Sequence, residues 1–280
     1  MTDHPRIDAH QHYWDPIRAD YGWLTADLPI LFKPFQPADL APSLHAARIT
    51  GTVLVQAAPT VEETDYLLAL ARTTPSVKGV VGWIDFENPE HITHLKRWST
   101  EPLLKGVRPM VQDIQDPDWL LKPEIDWAFE ALKTFDLSFD ALVLPIHLPR
   151  LLKRLQRHPT LRVCIDHAAK PSIRTRAFEP WASDLAQVAR DSTAFCKVSG
   201  LITEATAEWT PHDLRPYLDH LLQIFGPDRL IFGSDWPVLL LNGDYPRWMD
   251  LLMDWTQSFS QTERCKFFGG NAVRFYQIDA

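Results

Sequence analysis

The sequence is poor in cysteine, in glycine and in long apolar runs. Cys164, Cys196 and Cys265 are the only cysteines in 280 residues. They are odd in number, far apart and set in apolar surroundings such as "RVCID" and "FCKVS". That pattern excludes a disulfide framework or a thiolate metal cluster, and reads as three buried free thiols. No segment approaches 18 uninterrupted apolar residues, and the opening "MTDHPR" has no apolar leader core. The expectation is a cytoplasmic protein with no membrane partner. Basic runs are also missing, and the net charge is −8, so neither nucleic acid nor an anionic surface is an expected partner. No GxGxxG or Walker-type glycine loop follows any strand-like run, which removes the main argument for an open nucleotide-binding sheet. Low-complexity segments, solenoid repeats and a dividing linker are absent, so residues 1–280 read as one domain.

What is abundant is apolar residue, tryptophan and proline. With 45% hydrophobic and 23% charged residues the chain can bury a full core. Eleven tryptophans and 23 prolines are many for this length. Several prolines follow strand-like runs, where a residue unable to continue a central strand marks the exit.

Eight such runs recur: residues 6–12, 50–57, 77–85, 104–111, 137–144, 161–168, 194–200 and 229–235. Between most of them lie stretches with helical spacing, such as "VEETDYLLALARTT", "PEIDWAFEALKTF" and "LPRLLKRLQRHP". Strands alternating with helices predict parallel βαβ units. Runs such as "GTVLV" and "LIFG" are apolar on both sides of the pleat, as strands covered by helices must be. Eight units in one chain predict an α/β fold of the (β/α)8 TIM-barrel type, whose usual length is about 250 residues.

Chemistry in such barrels sits at the C-terminal ends of the strands. Polar residues there are His10 and His12; Gln56; Trp83 and Asp85; Arg108 and Gln112; Asp166 and His167; Lys197 and Ser199; and Ser234 and Asp235. In "RIDAHQH" apolar and polar residues alternate, so His10 and His12 point to one face, about 6 to 7 Å apart. Two imidazoles at a barrel mouth without a use would cost packing. His167 leaves a buried run, and Asp235 ends the very apolar "LIFGSD"; its bland alternative is to cap the next helix. Arg108 in "GVRPM" needs a partner, either an internal carboxylate such as Asp113 or an oxygen-rich ligand. Trp14, Trp83 and Trp236 would form a rim that stacks on a ligand's apolar face. Lys170 and His147 are either mouth residues or surface groups.

His-x-His ending the first strand, His ending the sixth and Asp ending the eighth resemble the outline of the amidohydrolase superfamily. The phrases "DAHQHYWDP", "GVRPMVQD", "DHAAKP", "KVSGL" and "FGSDWPV" are similar to its lactonase branch, the sugar-lactone hydrolases and 2-pyrone-4,6-dicarboxylate lactonase. The likeness runs from about residue 6 to "GGNAVRFY". It implies hydrolysis of a cyclic ester, with Asp235 as general base, His10, His12 and His167 around the carbonyl or a metal, and Arg108 binding substrate; the strand-end position of Gln56 and the loop position of Lys170 add these two as further substrate-binding candidates. Two-metal members need a bridging carboxylate or modified Lys on the fourth strand, where this chain has Arg108, so a two-metal centre is not expected. Two states satisfy the remaining residues. Either one Zn²⁺ is held by His10, His12 and Asp235 with His167 nearby, or no metal is needed because a lactone is an activated ester. An aldono-lactone is the expected substrate. The rival readings are a dicarboxylate-pyrone lactonase, a metal-dependent decarboxylase of the same superfamily and a non-catalytic sugar-binding barrel.

Overall fold

In the computed structural model, which describes residues 4–279, one sheet of eight parallel strands runs in the order β1 to β8. The strands are β1 Ile7–Gln11, β2 Gly51–Val55, β3 Val77–Gly82, β4 Leu104–Val107, β5 Ser138–Ala141, β6 Val163–Ile165, β7 Phe195–Val198 and β8 Leu230–Phe232. Each predicted run contains one strand, but the strands are shorter than predicted and the trailing residues turn into loops. The ring closes between β1 and β8: Asp235 N–H donates to the His10 carbonyl at 2.7 Å, and His12 N–H to the Trp236 carbonyl at 2.7 Å. Each strand is followed by a helix: α1 Pro37–Ala46, α2 Val61–Thr73, α3 Ile92–Trp98, α4 Asp126–Thr134, α5 Leu148–Arg157, α6 Trp181–Asp191, α7 Pro211–Phe225 and α8 Tyr245–Trp255. Every residue of β1 and β2 is buried, as strands under helices on one face and barrel interior on the other must be. Among the described residues no helix is long and apolar enough to cross a membrane. Cys164 and Cys196 are buried free thiols as expected, whereas Cys265, near the C-terminus of the short helix α9 Gln261–Cys265, is only partly buried.

The 25-residue β1–α1 connection, residues 12–36, folds over the barrel mouth and is tied down by one buried carboxylate. Glu63 on α2 accepts from Tyr21 Oη at 3.0 Å and from Ala57 N–H at 3.0 Å, and pairs with Arg18 at 3.2 Å. Trp23 Nε1 adds a bond to the Ala57 carbonyl at 2.7 Å. Burial pushes the Glu63 carboxyl up from 4.5 to about 7, against the opposing pull of the Ala57, Arg18 and Tyr21 contacts. The folded protein therefore binds this proton more tightly than the unfolded chain does, and stability falls as pH rises through that window. At about 1.4 kcal/mol per pH unit, the loss amounts to about 3 kcal/mol. Glu63→Gln removes the titration. Urea denaturation at about pH 5 and about pH 8 is expected to show a smaller loss in the variant than in the wild type; equal losses would contradict this role.

Candidate active site

Three imidazoles converge on one carboxylate oxygen at the C-terminal end of the barrel. His12 Nε2 lies 3.3 Å from Asp235 Oδ1, His10 Nε2 3.7 Å and His167 Nε2 3.9 Å. Arg108 joins them through His10, with its Nη1 3.3 Å from His10 Nε2. The two N-terminal imidazoles do meet, with ring centroids 5.0 Å apart. His10, though, is fully buried behind the cavity, while His12, His167, Arg108 and Asp235 line it.

The backbone is forced into unusual shapes to place these groups. His167, Ala168, Ala169 and Lys170 all have φ between 52° and 59°, and Asp235 has φ 62°. A left-handed non-glycine residue costs about 1–2 kcal/mol, so this turn stores strain that the surrounding packing must hold. Trp181 Nε1 helps by donating to the Ala168 carbonyl at 2.7 Å. His167 Nδ1 sits 2.9 Å from Ser199 Oγ, which orients the ring. Gly200, with φ +64°, lies directly against that ring: a Cβ there would be 2.5 Å from His167 Nδ1 and 3.1 Å from Asp235 Oδ2. Gly200→Ala is expected to displace the imidazole and lower kcat by at least about tenfold, since a misplacement of about 1 Å can cost about 10²-fold. An unchanged kcat would mean that His167 has no placement-sensitive role.

The electrostatics assign protonation states. Burial pushes His167 down to about 4, so it is neutral at physiological pH. Burial alone would raise the Asp235 carboxyl, but His167, His12 and His10 around it hold its pKa below the usual carboxylate range. Asp235 is therefore ionised. His12 Nδ1 donates to the Val55 carbonyl at 2.7 Å, which leaves Nε2 with the lone pair. In that tautomer the lone pair faces the Asp235 carboxylate at 3.3 Å, and the two atoms repel unless a proton or a cation bridges them. A bound cation satisfies such a pair. A tetrahedral site with metal–ligand bonds of about 2.0–2.1 Å separates its ligand atoms by about 3.4 Å, which these residues match. His10, His12 and Asp235 thus fit one divalent metal, and His10, Asp166 and His167 form an overlapping second set.

Beneath the mouth lies a buried ion network that the sequence did not disclose as such. Lys197 Nζ pairs with Asp140 at 2.6 Å and Asp166 at 3.0 Å, and lies 3.2 Å from His10 Nδ1. Tyr276 donates to Asp140 at 2.5 Å. Arg108 finds its carboxylate partner in Asp166 at 3.3 Å, not in Asp113. Burial would depress the Lys197 ammonium, but Asp140 and Asp166 raise it above its ordinary value.

The cavity holds about 270 Å³, the lower end of the range for small-molecule sites. The tryptophan expectation fails here. Trp14 is fully buried among Tyr21, Trp23 and Phe35, and its Nε1 donates to the Leu31 and Lys33 carbonyls. Trp236 is buried against Tyr13 and Phe35, and Trp83 packs on His91; none of the three lines the cavity. The aromatic wall is Trp23, carried in by the β1–α1 connection together with Leu28. Gln56 is also behind the wall, where its Nε2 donates to the Arg108 carbonyl at 2.6 Å and its own carbonyl accepts from Arg108 Nη2. Lys170 does line the cavity, 3.9 Å from Glu204, a wall residue that sequence reasoning missed along with Thr203. His147 is buried and accepts from Leu144 N–H at 3.0 Å, a cap and not part of the cavity wall.

Comparison with known proteins agrees with this geometry. The chain is 41% identical over 98% of its length to an L-fucono-1,5-lactonase of Burkholderia ambifaria, covering 96% of that protein. It is 35% identical, with the same coverages, to an L-fucono-1,5-lactonase of Burkholderia multivorans. A crystal structure of an amidohydrolase from Burkholderia multivorans with bound zinc superposes with a TM-score of 0.93 at 34% identity, covering 98% of this chain and 100% of that one. The amidohydrolase sequence pattern matches residues 7–278, and the chain belongs to the amidohydrolase family.

Proposed function

We propose that this protein hydrolyses sugar lactones of the L-fucono-1,5-lactone kind to open-chain sugar acids, in the cytoplasm. The observation that carries this reading is the full-length identity to enzymes of that name, at a mouth where an ionised carboxylate meets imidazoles and a guanidinium.

In this reading the lactone carbonyl oxygen points at Arg108 and His167. Ser199 Oγ donates to His167 Nδ1, so that Nε2–H faces the substrate. Asp235 orients a water molecule and takes its proton as the hydroxyl adds to the carbonyl carbon. The oxyanion so formed is held by the Arg108 and His167 donors; one such donor is typically worth about 10²–10³ in rate. Collapse re-forms the carbonyl and breaks the ring C–O bond, and the departing alkoxide takes back the proton that Asp235 carried. General-base assistance of about 10²–10⁴ suffices for an activated ester.

A divalent ion, zinc by the nitrogen-and-carboxylate character of the set, would be held by His10, His12 and Asp235; when bound it would supply Lewis-acid polarisation of the carbonyl. Hydrolysis does not depend on it, because Arg108 and His167 supply the donors. An aldono-lactone is favoured over a dicarboxylate pyrone by charge. Both cations at the mouth are already paired, Arg108 with Asp166 and Lys170 with Glu204, which leaves little free positive charge for two carboxylates. Glu204, Lys170 and Thr203 would bind sugar hydroxyls, and Trp23 would cover an apolar face.

The test is a pH-indicator assay on a panel of aldono-lactones and a pyrone dicarboxylate. Acid release from the sugar lactones and none from the pyrone is expected. No turnover of any sugar lactone would overturn the reading.

A further inference from the structure

We infer that the Arg108 guanidinium is a resident cation that competes with a divalent metal for the His10 imidazole. This inference rests on the reading of His10, His12 and Asp235 as the ligand set.

The argument is one of occupied ligand atoms. His10 belongs to both groups of side chains able to hold an ion, and Asp166 to one of them. Arg108 Nη1 lies 3.3 Å from His10 Nε2 and 3.3 Å from Asp166 Oδ2. On the other side, Lys197 Nζ lies 3.2 Å from His10 Nδ1 and 3.0 Å from Asp166 Oδ1. Both oxygens of Asp166 thus face a fixed cation, and Asp166 Oδ1, 3.5 Å from His10 Nδ1, accepts that nitrogen's proton, which leaves the neutral ring a single lone pair, at Nε2, facing Arg108. Guanidinium and ammonium groups carry donors only, so a nitrogen lone pair that accepts from one of them is not free for a metal.

Arg108 cannot easily withdraw. Its Nη2 donates to the Gln56 carbonyl, while Gln56 Nε2 donates to the Arg108 carbonyl at 2.6 Å, clamping both ends of the residue. A metal on His10 Nε2 would therefore displace the Arg108 hydrogen bond. It would also place two positive charges beside a third in a buried, weakly screened site. Among the described residues His12, His167 and Asp235 face no such cation at hydrogen-bond distance, which singles out His10 as the contested ligand.

Zinc affinity of the metal-stripped protein, measured by competition with a chromogenic chelator, tests this directly. Arg108→Gln is expected to bind zinc at least about tenfold more tightly than the wild type, and His10→Gln in the same background should abolish the gain. The zinc-induced rise in melting temperature, larger in Arg108→Gln and in Arg108→Met than in the wild type, gives a second readout if the variants start from lower stability. Equal or weaker binding by Arg108→Gln would overturn the competition. A gain that survives loss of His10 would do the same. Failure of every form to bind zinc would overturn the ligand set along with it. None of these readouts depends on lactone turnover, so failure of the proposed activity is separately visible.

Discussion

Asp235→Asn is expected to lower kcat for lactone hydrolysis by about 10³-fold, in the range of a lost general base, with little effect on the fold. The substitution is chosen for its backbone. Asp235 has φ 62°, and asparagine is one of the few residues that accept this region readily. The hydrogen bond from residue 235 N–H to the His10 carbonyl, which helps to close the barrel, is a main-chain bond and survives. What disappears is the negative charge that His10, His12 and His167 surround and the ability to accept a proton from water. A melting temperature within a few degrees of wild type together with the collapse in kcat would identify a chemical role. A variant with near-normal kcat would remove Asp235 from that role.

The second large effect is on stability. Lys197→Met leaves Asp140 and Asp166 buried without their shared ammonium, each carboxylate being fully inaccessible to solvent. Breaking a buried pair from one side typically costs about 3–5 kcal/mol, which corresponds to a fall of about 10 °C in melting temperature for a domain of this size. Adding Asp140→Asn should recover part of the loss, since it removes one of the stranded charges. Thermal denaturation of the single and double variants decides the matter. A double variant no more stable than Lys197→Met would show that Lys197 serves packing and not charge.

The barrel and the side chains gathered at its mouth were legible because both depend on periodicity. Alternation of apolar runs located eight strands, and the strand-end rule led to His10, His12, Arg108, His167 and Asp235. The rule worked for residues whose backbone lies in a strand or one step beyond it. It failed where the side chain's direction is set by a loop. Trp14 is three residues past the last strand residue, and the connection folds back over it, so its indole serves that connection's own core. Trp23 and Glu204 reach the cavity from connections whose paths no local pattern encodes. Lys197 and Asp166 were visible as strand-end polar groups, but not their pairing, which depends on how β5, β6 and β7 sit side by side. Gln56 occupies the position expected, yet turns its amide to the Arg108 backbone, a distinction of rotamer that sequence does not carry.

The central proposal is that these side chains open a sugar lactone by themselves. The most direct measurement is the rate of L-fucono-1,5-lactone hydrolysis by protein stripped of metal, with residual metal content determined on the same sample. Stripped protein is expected to keep a kcat within a few-fold of the untreated protein, with no more than a few-fold change on adding zinc. Activity lost on stripping and restored by zinc would contradict it, and would make the histidines metal ligands first.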